Sequence, residues 1–210
     1  MPKKSYALEA GGPPRVTIEW NGIWKNLRVA VDGQEVGRFA TQKEVEAGGH
    51  FPLPIGGSLG VQLVRQLAAV ELRVTRDGVA LPGTASDPAE RIKQAAYVLY
   101  FISAFNLILG LAAELLRVSF LQGLGLGWAS VVEGAIYGVL GWRTTKRSQV
   151  ALILGIVLFA VDTLMILAGA VESSHSPPIG ALVARFFFFV PLVKGFQGLR
   201  ELRAAERKGP

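Results

Sequence analysis

Gln149-Val-Ala-Leu-Ile-Leu-Gly-Ile-Val-Leu-Phe-Ala-Val-Asp162-Thr-Leu-Met-Ile-Leu-Ala-Gly-Ala-Val171 is almost wholly apolar except for one acid, Asp162, near its centre. At about 1.5 Å of rise per residue it is long enough to cross the roughly 30 Å hydrocarbon core of a bilayer, and it reads as a transmembrane helix. Three similar runs surround it, Gln94–Leu116, Gly125–Trp142 and Ile179–Leu199. Residues 86–203 therefore read as a four-helix transmembrane bundle with spans at about 94–116, 125–142, 149–171 and 179–199, followed by a basic tail, 204–210.

The remainder is a short N-terminal half. Half of the 210 residues are hydrophobic, but they are concentrated after Ala95. Fewer than ninety residues are left to build a soluble domain, a size at which a single core is marginal unless it is tied to something. The absence of cysteine excludes disulfides, thiolate-ligated clusters and thiol catalysis. Met1-Pro2-Lys3-Lys4-Ser5 leads into polar, Gly and Pro residues with no apolar h-region, so no cleavable secretory signal is expected. The net charge of +6 is carried largely by Arg143, Lys146 and Arg147 and by the stretch from Lys194 to Lys208. Both places flank membrane helices, where Lys and Arg mark cytoplasmic loops and meet anionic headgroups, so the charge points to lipid rather than nucleic acid.

Residues 1–14 show no pattern and are expected to form a flexible arm. Residues 15–85 read as a β domain. Arg15–Trp20 and Leu27–Val31 alternate at period two. Asp32-Gly33 supplies the two residues that tolerate positive φ in a type I′ hairpin, with Gln34–Ala40 as the returning strand. Pro52 and Pro54 confine Phe51–Ile55 to an edge or a loop. Leu59–Leu67 and Ala69–Arg76 alternate again, and Asp77-Gly78 makes a second hairpin. The two hairpins form a weak internal repeat, Leu27-Arg28-Val29 with Asp32-Gly33 against Leu72-Arg73-Val74 with Asp77-Gly78. Short strands with turn signals at this spacing predict an antiparallel sandwich or small barrel. Through Val16–Trp20, Val29–Gly33 with Glu35-Val36, and Leu72–Gly78, this half resembles the β-sandwich of the Fas apoptotic inhibitory molecule family over about seventy residues. The resemblance implies a fold and nothing about activity.

Ser86-Asp87-Pro88-Ala89-Glu90 is a helix start, with Asp87 placed to cap and Pro88 at the first helical position. Only a few residues separate it from Gly83, which predicts a β domain held close to the membrane. Basic residues near Arg91 and Lys93, at Arg143–Arg147, and from Lys194 to Arg203 place both termini in the cytoplasm of a multi-pass protein of the cytoplasmic (inner) membrane. The outer connections hold only Arg117. Trp128 and Trp142 fit the two aromatic belts.

Asn106, Glu133, Asp162 and Arg185 lie well inside the four spans. Counted inward from the outer ends, all four fall at roughly 10–15 Å depth. A charge facing lipid there costs at least ~2.5–3.5 kcal/mol, so each should face the interior and find a partner. Small residues would let the helices approach: Ser130, Gly134 and Gly138 on the second span, Gly155 and Gly169 flanking Asp162 on the third, and Ser103 and Gly110 near Asn106 on the first. Two readings of the cluster stand side by side. In one, Glu133–Arg185–Asp162 is an ionic staple that fixes helix register. In the other, two acids for one arginine leave a surplus carboxylate to hold a proton, metal or cationic substrate. Pro191 removes a helical hydrogen bond close to Arg185.

Phe186–Phe189 reads as lipid-facing and interhelical packing. His50 and His175 lie on different segments, so no metal pair is indicated. Ser103, Ser130 and Thr163 have no base within helical reach. Gly123-Leu-Gly-Leu-Gly127 lacks the preceding strand that a phosphate-binding loop needs. The membrane half resembles a set of uncharacterised bacterial four-helix membrane proteins. That resemblance runs through Asn106–Gly110, Glu133-Gly134 with Gly138, Leu158–Asp162, and Lys194–Phe196 leading into Leu199–Leu202. It carries no activity with it. The sequence therefore predicts an integral membrane accessory or interaction subunit without catalytic residues or cofactors, partnered by the bilayer and by another protein or its own copy. The alternative is a small proton- or cation-linked transporter using the Glu/Asp/Arg cluster.

Overall fold

The period-two stretches and the apolar runs resolve into separate units in the computed structural model, which describes residues 1–54, 56–66, 69–120, 126–172 and 179–208. Residues Met1–Glu90 form one unit and Arg91–Pro210 the other.

The first unit holds two four-stranded antiparallel sheets. β1 (Lys3–Ala7), β2 (Pro14–Asn21), β3 (Lys25–Val31) and β4 (Gln34–Phe39) form one, in sequential order. β5 (Gly49–Pro52), β6 (Ser58–Gln66), β7 (Ala69–Arg76) and β8 (Val79–Ala80) form the other. Both expected hairpins are present. Asp32 and Gly33 have φ of 51° and 82°, and Asp77 and Gly78 have φ of 50° and 84°. Positive φ at both central residues is the type I′ geometry, whose twist matches that of the flanking strands. The registers Val31↔Gln34 and Arg76↔Val79 follow from these two-residue loops.

Alternation sorts side chains as the pleat requires. Val16, Ile18 and Trp20 of β2 and Leu27, Val29 and Val31 of β3 are buried in one hydrophobic core with Leu59, Val61, Leu63, Leu72 and Val74 of the second sheet. Phe39 of β4 meets Phe51 of β5 edge to face at 5.4 Å. Gly37 leaves the space that Phe51 fills, since a Cβ there would stand 2.1 Å from the ring.

Two departures from the sequence reading concern short elements. The expected arm over residues 1–14 contains β1, which pairs with β2 and buries Tyr6, while Leu8 just beyond it is also buried. β2 would otherwise present an open row of backbone donors and acceptors, and β1 satisfies it. Between β4 and β5 lies a helix, α1 (Gln42–Ala47). Thr41 Oγ1 accepts from Glu44 N at 3.4 Å, and Glu44 Oε2 accepts from Ala40 N at 2.8 Å. This is a variant of the capping box: Thr41 satisfies the orphan Glu44 N–H, and the Glu44 carboxylate reaches back to the amide just before the cap.

The second unit is helical, built from α2 (Pro88–Leu115) after its first turn, α3 (Trp128–Thr145), α4 (Gln149–Glu172) and α5 (Ile179–Lys208). Asp87 caps α2 as expected, its carboxylate accepting from Ala89 N and Gly83 N, each at 2.9 Å. Among the described residues three helices are long and apolar enough to cross a membrane, over Pro88–Leu115, Gln149–Gly169 and Leu182–Arg207. α3 is not one of them, because Glu133, Arg143 and several Gly, Thr and Trp residues lower its hydropathy. Its two tryptophans are exposed at opposite ends. All four helices nevertheless share a core in which Leu99, Tyr137, Leu152, Leu192 and Leu199 are buried. Gly125, where the second span was expected to start, lies outside the described residues. So do the connection 173–178 with His175, most of the Gly123–Gly127 run, and the last two residues of the tail.

Candidate functional site

The small residues decide which helix faces meet. A Cβ on Gly134 would lie 2.9 Å from Ser103 O and Leu107 N, and one on Gly138 2.9 Å from Ser103 Oγ. Gly110 in turn lies against the start of α3, where a Cβ would stand 2.9 Å from Gly127 O and 3.0 Å from Val131 N. Ser130 is buried. The Ser130–Gly134–Gly138 stripe is thus the seam between α2 and α3, and Gly141 extends it onto Tyr100. On α4 the expected stripe divides. Gly155 lies against Leu99, whereas Gly169 is exposed with open space where its Cβ would stand. Among the described residues no atom stands within 4 Å of where a Gly169 Cβ would lie. Repetition at sevens brought Gly155 and Asp162 to the interior, but α4 has left the shared core by the time it reaches Gly169.

This packing turns Tyr137 of α3 toward Asp162 of α4. The Tyr137 hydroxyl donates to Asp162 Oδ2 at 2.6 Å, and its ring is fully buried. Glu133, one turn earlier on α3, lies within hydrogen-bonding reach of the same carboxyl. Two carboxyls so placed can hold a proton between them.

Arg185 does not join as the expected direct counter-ion. Its Nη1 donates to Thr163 Oγ1 at 3.0 Å, and its guanidinium lies over the Phe159 ring, 5.3 Å from the centroid. Thr163 Oγ1 in turn donates a hydrogen bond to Phe159 O at 2.7 Å. Among the described residues Arg185 makes no ion pair within 4.0 Å of either acid. Its charge still acts on Glu133 and Tyr137 through space. The reason is rotational: Asp162 and Thr163 are consecutive, so they point about 100° apart around α4. Asp162 faces α3 and Thr163 faces α5. Asn106 is half-buried on α2, and among the described residues no hydrogen bond or ion pair joins it to these side chains.

Beside Arg185 a cavity of about 390 Å³ opens between α4 and α5, lined by Phe159, Thr163, Leu164, Leu182, Arg185 and Phe186. Of the phenylalanine run, Phe186, Phe187 and Phe189 are exposed. Phe188 packs on the shared core and lies 5.3 Å from Phe101. Pro191 is accommodated inside α5.

Sequence reasoning missed three features. Tyr137 sits four residues after Glu133, the spacing that shares a helix face. Gly195 lets α5 approach α2, where a Cβ would stand 2.4 Å from Ala95 Cβ. Arg91, buried near the start of α2, pairs with Glu201 of α5 at 3.1 Å. In the first unit His50 is exposed on β5. Among the described residues there is no group of three or more His, Cys, Asp or Glu that could hold a metal ion.

The electrostatics of the first unit are those of its surface. Arg15 Nε donates to Asp32 Oδ1 at 2.8 Å, and Arg38 pairs with Glu35 at 2.9 Å. Each arginine's hydrogen bond holds its partner's carboxyl below the usual range.

No protein-family model, curated protein or solved structure matches the chain.

Proposed function

We propose that the protein is an integral membrane accessory or interaction subunit. α2 to α5 cross the cytoplasmic membrane four times as a bundle with both termini inside, and the two sheets form a β-sandwich that engages a protein partner or a second copy of the chain. α3 belongs to the bundle because its 18 residues reach about 27 Å at helical rise and Tyr137 lies in the core common to all four helices. The observation that carries the subunit reading is mutual pairing inside the bundle. Tyr137 binds Asp162, Glu133 lies beside the same carboxyl, and Arg185 binds Thr163. Polar groups that satisfy one another across three helices fix register and leave the β unit as the part free to recognise something.

Single cysteines at Thr41, Ser119 and Thr145 test the topology. Position 119 should react with an impermeant reagent on intact cells, while 41 and 145 react only after lysis; labelling of 145 from outside overturns four passes with cytoplasmic termini. Purification in mild detergent of the full chain and of a form lacking residues 1–85 then tests the role. A companion chain retained only by the full form supports it, and a full chain that emerges alone and monomeric refutes it.

One observation favours transport, since Glu133 and Asp162 form an acid pair with a cation on the neighbouring helix. Proton flux into liposomes that disappears in Asp162→Asn would establish that reading in place of the first.

A further inference from the structure

Where α4 begins and α5 ends, a cavity of about 750 Å³ is lined by Gln149, Gln197, Arg200, Glu201, Arg203 and Arg207. Its charges do not cancel. Glu201 is already matched by Arg91 at 3.1 Å, and Glu206 nearby is engaged by Arg147 at 3.9 Å. Arg203 donates to the neutral amide oxygen of Gln149. Among the described residues Arg200 and Arg207 make no ion pair. Three guanidinium groups thus border one cavity whose only acid among the described residues is already paired. Arginine forks bind phosphate oxygens in pairs, and guanidinium is weakly hydrated enough to do so at a membrane surface.

Height along the helices indicates where the phosphate comes from. Arg200 lies about 30 Å along α5 from Ile179 at helical rise, at the same end of the unit as Gln149. If α4 and α5 cross the bilayer, this cavity lies at headgroup depth. One turn into the span on the same two faces stand Ile153 and Val193, both accessible. Polar amides and arginines above and open aliphatic surface below match an amphiphile with an anionic head.

We propose that this cavity binds the phosphate headgroup of an anionic phospholipid. The inference rests on the membrane reading given above and adds to it a specific lipid site. Carbonate extraction of membranes separates the two. Full-length protein released by carbonate overturns the membrane reading itself, whereas retention leaves the lipid site to be judged alone.

For that judgement the detergent-purified full chain is examined by native mass spectrometry with dioleoyl-phosphatidylglycerol or dioleoyl-phosphatidylcholine. Melting is followed in parallel in nanodiscs of the second lipid with and without the first. The expected result is one retained phosphatidylglycerol and a higher melting temperature in the anionic discs. In the variant Arg200→Gln/Arg203→Gln/Arg207→Gln the affinity should fall about a hundredfold, each arginine counting for roughly fivefold beside an anionic surface. Arg207→Gln alone, near the chain end, should lose about fivefold, which keeps the test open if the triple variant folds poorly. Arg15→Gln, on the β unit, should change nothing. Equal retention of both lipids, or undiminished binding by the Arg207→Gln and triple variants, overturns the proposal. Displacement of the lipid by millimolar inorganic phosphate also overturns it, because the site would then serve a soluble anion.

Discussion

Glycine has different work in the two units. In the sheets Gly33 and Gly78 take φ of 82° and 84°, and a Cβ at either would meet nothing within 4 Å. In the helices Gly110, Gly134 and Gly195 have helical torsions, yet a Cβ on each would stand 2.9 Å or less from a neighbour. The first pair relieves a torsion and the second group relieves a distance. The same division holds for polar side chains. The ion pairs of the sheets, such as Arg15 with Asp32, lie on the surface, whereas the helices turn Asp162 toward Tyr137 and Arg185 toward Thr163. A unit that folds in water needs permissive turns, while helices in lipid must come close enough to satisfy what they bury.

Substitutions should separate these roles, beginning with the largest effect. Gly134→Val puts a branched side chain against backbone atoms of α2, which cannot yield as a flexible side chain can. Thermal unfolding in detergent should show a loss of about 1–3 kcal/mol or more. Gly169→Val on exposed α4 surface should be close to neutral. Equal losses at the two positions would end the distinction between a packed and an open helical glycine. Gly33→Val forces a β-branched residue to positive φ at a cost of about 1–3 kcal/mol. Limited proteolysis of the full chain should then cut the first unit faster and leave the helical fragment intact.

Within the helices, Asp162→Ala strands the buried Tyr137 hydroxyl and should cost about 1–3 kcal/mol, with Tyr137→Phe near 1 kcal/mol. Arg185→Leu should cost less than Asp162→Ala, because Thr163 keeps its bond to Phe159 O. If Arg185→Leu costs more, the arginine is the counter-ion of the acids after all, and the separation of Asp162 and Thr163 around α4 fails as an explanation.

The smallest effect is on the sheet surface. Asp32 titrates below the usual carboxylate range because Arg15 donates to it. A depressed pKa contributes stability that is present above the unfolded-state value and is lost as pH falls through the folded one. Arg15→Gln should return the Asp32 carboxyl toward its ordinary range in an NMR titration and shift the acid unfolding of the first unit only slightly, since the pair is exposed.

What the sequence disclosed depended on how local the deciding physics was. Asp32-Gly33 and Asp77-Gly78 fix their hairpins with two residues each, and the alternation around them assigns the buried face. Thr41-Gln42-Lys43-Glu44 carries the signature of α1 in plain form, but a helix of six residues that buries only Val45 is too short to show a helical period. β1 has no comparable signal, because its strand state is settled by the open edge of β2. In the helices, counting residues inward assigns Asn106, Glu133, Asp162 and Arg185 a common depth. Depth is a height and leaves rotation open. Which of Asp162 and Thr163 meets Arg185 is decided by the azimuth of α4, and that is set by contacts such as Gly155 on Leu99. Gly195 was legible only as a break in an apolar pattern until Ala95 appeared opposite it.

The sequential order within both sheets bears on how a chain with three helices apolar enough to cross a membrane would enter one. Within each sheet every strand pairs with the next in sequence, and the last ends at Ala80, before α2 begins. Such short-range pairing closes quickly for a β structure, while synthesis adds only about 5–20 residues per second. The sheets can therefore be complete while α2 is still being made, and a finished domain is a poor substrate for threading across a bilayer. On the proposed topology, folding order would hold the N-terminus on the side of synthesis independently of the arginines, so that reversing the loop charges alone should not be enough to turn the protein over.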